Sequence, residues 1–325
     1  LEADTQLVDQ TRQVMVAVVR GMPARDRVYN EIKMRASVRF PALTVGQIVG
    51  ENNKSILMGG YALPGVFTYK AWDDYVSQAI EDAANKPTDT KDWVLNTTQS
   101  DDLTFTGSPD QIRKQLTQLY KQEYIAEWKK FLNAVHYAKG TDFKSDARIV
   151  EILGEPQNSP IRIFIERVTK ETSWDNPVVQ AELAAPQTGF VAWFKRTILR
   201  QNNEDAIKKA INQAQGPISQ EFVFFYQLIR KRDDQQNQSL LDEYLNNLSQ
   251  VRSKFNDLKN AGDIGPSALT VVKQTINEQT SVFNATQKIV DEKLMVGLNA
   301  TDQQVLQRLL VSPLTQAFNA LLPPA

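Results

Sequence analysis

His136 is the only histidine in the chain, so acid–base or metal chemistry built on imidazole has one candidate. Triads and most zinc sites need a histidine together with Ser, Cys or further histidines, and this chain has no Cys. The helical stripe described below places His136 at a helix C-terminus, where an imidazole meets the last carbonyls or faces water. Phosphate chemistry would need a bare glycine backbone leading into Lys-Ser or Lys-Thr. Lys54-Ser55 supplies the second half, but Asn52 and Asn53 precede it, and neither Gly46–Gly50 nor Gly59-Gly60 completes a phosphate-loop pattern. Turns in an irregular connector are the plainer reading.

Paired carboxylates occur at Asp73-Asp74, Asp101-Asp102 and Asp233-Asp234. Adjacent residues do not share a helix face, so each pair reads as solvated surface; general acid–base work would need distant acids to converge. Asp263-Ile264-Gly265 lacks the ligand series of a calcium loop. Arg230-Lys231-Arg232 runs straight into Asp233-Asp234 and reads as a solvated helix end rather than a nucleic-acid patch. No acid, base, nucleophile and oxyanion donor assemble, so the expectation is a protein without catalytic, cofactor or metal residues.

The elements that carry these residues are mostly helices. Ser108 is a candidate N-cap, Pro109 suits the first helical position, and Gln111 stands where a capping box wants an amide. Ile112, Leu116, Leu119, Tyr120, Tyr124, Trp128, Phe131, Leu132 and Val135 follow in steps of three and four, and Gly140 is the expected stop. That helix would be roughly 45 Å long. Residues 1–36 read as two helices broken at Gly21-Met22-Pro23, and Asp142–Leu153 as a shorter helix ended by Gly154 and Pro156. Ser159-Pro160, Asn176-Pro177, Gly216-Pro217 and Ser312-Pro313 read as further starts.

Residues 38–68 are the exception. Glycines and prolines cluster there around two short apolar pieces, Val38–Phe40 and Ile56–Met58, which read as short strands between loops. Asn85–Thr106 reads as a polar connector holding Trp93-Val94-Leu95.

After Ser239, Leu241, Tyr244, Leu248, Val251, Phe255 and Leu258 form one heptad stripe. Leu269, Val272, Ile276, Phe283 and Val290 form a second, with Gln279 and Thr286 at seam positions. With a glycine-containing turn between them they predict an antiparallel αα-hairpin. Adjacent aromatics at Phe222, Phe224, Phe225 and Tyr226 cover more than one helix face. They are either buried all round or leave a face for a partner, with Phe222, Phe225 and Tyr226 the contact candidates. Phe190, Trp193 and Phe194 raise the same question beside Lys195 and Arg196.

Composition agrees with a folded, unspecialised surface. The 325 residues are 42% hydrophobic, with 37 basic against 38 acidic side chains. That balance argues against duplex DNA or an anionic membrane as partner. The longest early apolar run, Val14–Val19, ends at Arg20 and falls short of the about 20 residues of a membrane span. The chain opens without Met and reads as part of a longer protein whose anchoring segments lie elsewhere.

Two stretches, ALPGVFTYKAWDDYV from Ala62 and LYKQEYIAEWKKFLNAV from Leu119, carry a specific resemblance. Leu63, Pro64, Gly65, Phe67 and Thr68 in the first, and Leu119, Tyr120, Tyr124, Trp128, Phe131 and Leu132 in the second, resemble the periplasmic region of the TssM (IcmF) family of type VI secretion subunits. Asp26–Lys33, Asn158-Ser159-Pro160 and Val168–Thr172 resemble the flanking helices. Ala71-Trp72 departs from the Gly-Tyr common in the family. The resemblance covers residues 23–172; residues 173–325 match in helical character and position alone.

What it implies is a structural role. The chain would be a periplasmic scaffold, in a Gram-negative inner-membrane protein, joining the membrane base to an outer-membrane lipoprotein. Its partners would be a TssJ-like lipoprotein, a TssL-like inner-membrane subunit and other copies of itself. The membrane anchor, the nucleotide-binding-like domain and the β-rich C-terminal domain of the family would lie outside this chain. The competing reading is a helical adaptor that binds a partner through a groove at Phe222–Tyr226. The expected fold is mainly α: an elongated multi-helix assembly with a helical domain over 1–172, carrying the glycine-rich insertion, and a helical pillar over 173–325.

Overall fold

The computed structural model describes residues 23–85, 107–183, 216–232 and 238–324. The first expected helix, the connector at 86–106, the Phe190–Arg196 cluster, Asp101-Asp102 and Asp233-Asp234 lie outside them. The fold is mainly α, with one small two-stranded sheet among the described residues. None of their helices is long and apolar enough to cross a membrane. Two compact units divide the chain, one within 1–42 and 64–124, the other within 43–63 and 125–325. The long helix Pro109–Asn133 gives its residues through Tyr124 to the first and from Ile125 onward to the second.

In the first unit, helix Ala24–Arg39 buries Tyr29, Ile32 and Ala36, a three-and-four spacing that sets one face inward. It takes in Val38, which is 90% exposed, so Val38–Phe40 is a helix end and not the expected strand. The periodicity of 2 was too short there to outweigh the helix already running. A helical stretch from Tyr69 to Asn85 contains a wide π turn at Trp72–Val76. The start of the long helix is capped as its sequence implies: Ser108 Oγ accepts from Gln111 N at 3.3 Å, and Gln111 Oε1 accepts from Ser108 N at 3.0 Å.

In the second unit, Leu57–Gly59 (β1) pairs antiparallel with Val135–Tyr137 (β2), in the register Leu57↔Tyr137, Met58↔His136, Gly59↔Val135. The sequence signal for β1 lay one residue away; β2 was read as helix. The long helix stops at Asn133, before Gly140, because the β-branched Val135 and the aromatic Tyr137 are taken by the β1 edge. Asp142, with Ser145 opposite it, caps helix Phe143–Leu153, and Ser159 caps Pro160–Thr172.

Helix Leu240–Lys259 buries its heptad stripe against Phe143–Leu153 and against Val282–Ile289, with Phe143 and Phe255 stacked at 5.7 Å. The second stripe is not one helix. It divides into Ile264–Asn277 and Val282–Ile289, followed by a π turn at Val290–Leu294. Glu243 pairs with Lys293, whereas a plain hairpin turning at 260–263 would set it opposite about residue 280. Ile264–Asn277 is therefore an excursion, and Val282–Leu294 is the segment that returns along Leu240–Lys259. Thr286 is fully buried with its hydroxyl bonded to Val282 O, but Gln279 sits exposed in a turn and Ile276 is 71% exposed, so neither belongs to the seam expected of them.

Ser312-Pro313 does not open a helix either. The chain reaches it already helical, through Ala300–Leu306 and a π turn at Gln307–Val311. Pro313 has no N–H for the Leu309 carbonyl four residues back. The Tyr137 hydroxyl donates to that carbonyl at 2.7 Å, and the Tyr244 hydroxyl donates to Leu310 O at 2.8 Å. Both phenols are buried, and burial pushes their pKa values up from 10.0. The native state thus holds these protons more tightly than the unfolded chain. Their contribution is complete below pH 10.0 and is lost as pH rises beyond it. Tyr137→Phe should cost about 1–3 kcal/mol in urea unfolding by leaving the buried Leu309 carbonyl without its phenol donor, and Tyr244→Phe about 0.5–1.5 kcal/mol by removing one buried hydrogen bond. The double variant should lose the steeper part of the alkaline destabilisation seen by circular dichroism above pH 10.0. An unchanged alkaline profile would contradict the assignment.

Candidate functional site

The residues that carry the Pro-Gly turn are each fixed by a bond or a close approach. Gly65–Phe67 forms one 3₁₀ turn, closed by Phe67 N to Pro64 O at 2.9 Å. A Cβ on Gly65 would stand 2.2 Å from the carbonyl oxygens of Phe40 and Pro41, so only glycine fits. Thr68 Oγ1 donates to Gly65 O at 2.8 Å and accepts from Ala71 N at 3.2 Å, closing the turn and capping the next helix with one hydroxyl. The buried Tyr120 hydroxyl donates to Val66 O at 2.7 Å. Its ring stacks on Trp72 at 5.2 Å and lies 5.7 Å from Phe67, and Tyr124 meets Phe67 edge-on at 6.3 Å. Leu63, at the start of the motif, is fully buried in the second unit and forms an isolated bridge with Leu43.

A polar cluster completes the first unit. Glu123 accepts from the Tyr29 hydroxyl at 2.7 Å and from Lys33 Nζ at 2.9 Å, and the Lys33 ammonium lies 4.7 Å from the Tyr29 ring centre. Burial first, and the Glu123 bond second, raise the Tyr29 pKa. In the second unit the buried Glu127 carboxylate accepts from Tyr61 and from Lys130 Nζ at 2.6 Å. Its bond to Tyr61 pushes that phenol up to about 12. Trp128 and Phe131 are fully buried and meet edge-on at 5.3 Å, and Phe131 stacks on Phe164. Leu132 is buried and Leu119 half-buried. Ser159 Oγ donates to Leu153 O at 2.7 Å, with Pro160 buried beside it.

Phe222, Phe225 and Tyr226, read as a possible partner contact, are all buried, with Phe224 and Leu228. Short helices Pro217–Glu221 and Val223–Ile229 turn these aromatic side chains inward and leave Gln227 exposed, so none of the three aromatics presents a free face. His136 stands exposed on β2 with Nδ1 3.1 Å from Ala134 O. Lys54 pairs with Glu51 in an exposed turn, Asp74 with Lys70, and Asp263 caps Ile264–Asn277. Among the described residues no group of three His, Asp or Glu could hold a metal ion. Sequence reading missed Asp175, whose carboxylate accepts from Ile218 N at 3.1 Å and Ser219 N at 2.8 Å. The lone signal was that Gly216 has no side chain to cap Pro217.

A model of the family described as IcmF-related, intracellular multiplication and human macrophage-killing, matches residues 1–173. The chain belongs to this family. It is 23% identical over 285 residues to the type VI secretion system component TssM1 of Pseudomonas aeruginosa, a match that takes in 84% of this chain and 25% of that protein. Its fold resembles a chain of a type VI secretion system membrane core complex with a TM-score of 0.65 and 18% identity, over 94% of this chain and 51% of that one. This IcmF-related chain thus spans a quarter of the curated relative and about half of the solved chain.

Gly65→Ala should lower the melting temperature sharply, at or above the top of the about 1–3 kcal/mol usual for overpacking, because the opposing atoms are backbone. Trp128→Ala should cost about 3–5 kcal/mol in urea unfolding. An unchanged midpoint for either would show that its side-chain site is not packed as described.

Proposed function

We propose that this chain is a scaffold segment of the type VI secretion membrane complex, acting by packing and contact rather than by catalysis. The observation that carries the reading is the likeness of fold to a membrane core complex chain along 94% of the sequence, joined to family membership. The site chemistry supports it. Thr68, Tyr120, Tyr137 and Tyr244 are bound to backbone carbonyls, and Asp142, Asp175 and Asp242 to backbone N–H groups. Groups so engaged build rigid elements.

In the finer reading the chain is periplasmic. It links an inner-membrane base with a TssL-like subunit to a TssJ-like outer-membrane lipoprotein, beside other copies of itself, and is anchored by segments outside this chain. The family match through residue 173 supports a division into 1–172 and 173–325, the first carrying the family motifs. The burial of Phe222, Phe225 and Tyr226 weighs against the adaptor alternative.

Placement is testable because the chain has no Cys. Val38→Cys, 90% exposed in the native residue, should react in whole cells with a membrane-impermeant maleimide once the outer membrane alone is permeabilised. Labelling that requires lysis of the inner membrane would overturn the periplasmic assignment. Recovery of the outer-membrane lipoprotein with the tagged full-length protein is expected; its absence after in-cell cross-linking would remove the linking role.

A further inference from the structure

The segment after Leu240–Lys259 is shaped unlike its sequence. Leu269, Val272, Ile276, Gln279, Phe283 and Thr286 recur in alternating steps of three and four, the phase of one uninterrupted helix. The structure interrupts it at Glu278–Ser281, where no Pro or Gly stands. Side chains hold the break. Ser281 Oγ accepts from Asn284 N at 3.2 Å, and Asn284 Nδ2 donates to Thr275 O at 2.7 Å and Glu278 O at 3.0 Å. On the near side the helix is weakly seated: Ala268 and Val272 are buried, but Leu269 and Ile276 are 37% and 71% exposed.

On the far side the chain is one cohesive block. Phe283 meets Phe318 edge-on at 5.8 Å within it. It docks through Lys293 on Glu243, through the Leu309 and Leu310 carbonyls on Tyr137 and Tyr244, and by packing of Ser312–Ala320 on Phe143–Leu153. A C-terminal block that docks on the rest of its unit, joined to it by a hinge whose sequence suits a straight helix, is arranged for exchange.

We propose that two copies of this chain exchange residues 282–324. The hinge at 278–281 straightens into one helix over 264–294, and each block takes on the other copy the contacts it makes here within one chain. A second copy is the occupant because it alone repeats Glu243, Tyr137 and Tyr244 in the same arrangement. The exchange adds backbone hydrogen bonds across the hinge and brings Leu269 and Ile276 into the stripe of Phe283. It stands independently of the secretion reading.

Gln279→Pro separates the two states. Glu278 already has φ −118° and ψ 114°, the extended geometry favoured before proline, whereas proline cannot sit inside the straightened helix. After refolding at high concentration, the 325-residue chain should show a dimer by light scattering, and Gln279→Pro a monomer. In a second variant, Glu243→Cys with Lys293→Cys, a short bis-maleimide should link the dimer fraction into covalent dimers on a denaturing gel and the monomer fraction within single chains. This readout decides alone if Gln279→Pro fails to fold. A parent chain that forms no dimer, a Gln279→Pro chain that dimerises equally, or a dimer fraction linked within single chains would each overturn the proposal.

Discussion

A backbone carbonyl or N–H taken out of water must find a partner, and in this protein side chains supply many of the partners that regular structure leaves missing. The Pro-Gly turn at Pro64–Phe67 buries carbonyls that no helix or strand pairs, and Thr68 and Tyr120 take them. Pro313 removes a donor from the last helix, and Tyr137 replaces it. Asp175 supplies the cap that Gly216 cannot. Each of these bonds is long-range or closes a turn, so the helices are located by a few polar contacts as well as by apolar burial. The cost of an unpaired buried group, about 1–3 kcal/mol, exceeds the about 1 kcal/mol an ordinary hydrogen bond contributes. These side chains are therefore more constrained than their modest number suggests.

Much of the helical part was legible because it rests on local physics. Ser108 caps where the sequence places it, helices begin at the expected Asp142 and Ser159-Pro160, and the stripe from Ile112 to Leu132 is buried or half-buried. The Pro-Gly motif was legible as a motif, but its mechanism was not. That Gly65 is required by the Phe40 and Pro41 carbonyls, rather than by a left-handed backbone, is a fact of close approach that spacing cannot reveal. The strand at Val135–Tyr137 was missed because it is three residues long and continues a helical phase. Its identity comes from β1, more than seventy residues earlier in sequence.

The heptad reading failed for a different reason. Period 3.5 in a sequence reports that a helix has one apolar side, and it is silent on whether neighbouring turns of that helix share a partner. Leu240–Lys259 is covered by two elements, and the helix Phe143–Leu153 occupies space a plain hairpin would leave open. The returning arm then meets it with Lys293 opposite Glu243, and Ile264–Asn277 is left over as the excursion. Tertiary competition decided between two locally acceptable structures.

The same constraint bears on function. A catalytic group must be free to change its bonds during turnover, whereas a carbonyl-bound Tyr120 or a cap such as Asp242 cannot change partner without opening the fold. The Glu123–Lys33 ion pair ties the helix Ala24–Arg39 to the long helix in the same way. Polar groups so placed hold the elements they bond in position within each unit. Among the described residues, the interior hydroxyls and carboxylates of Thr68, Tyr120, Tyr137 and Asp242 serve to fix backbone groups in place.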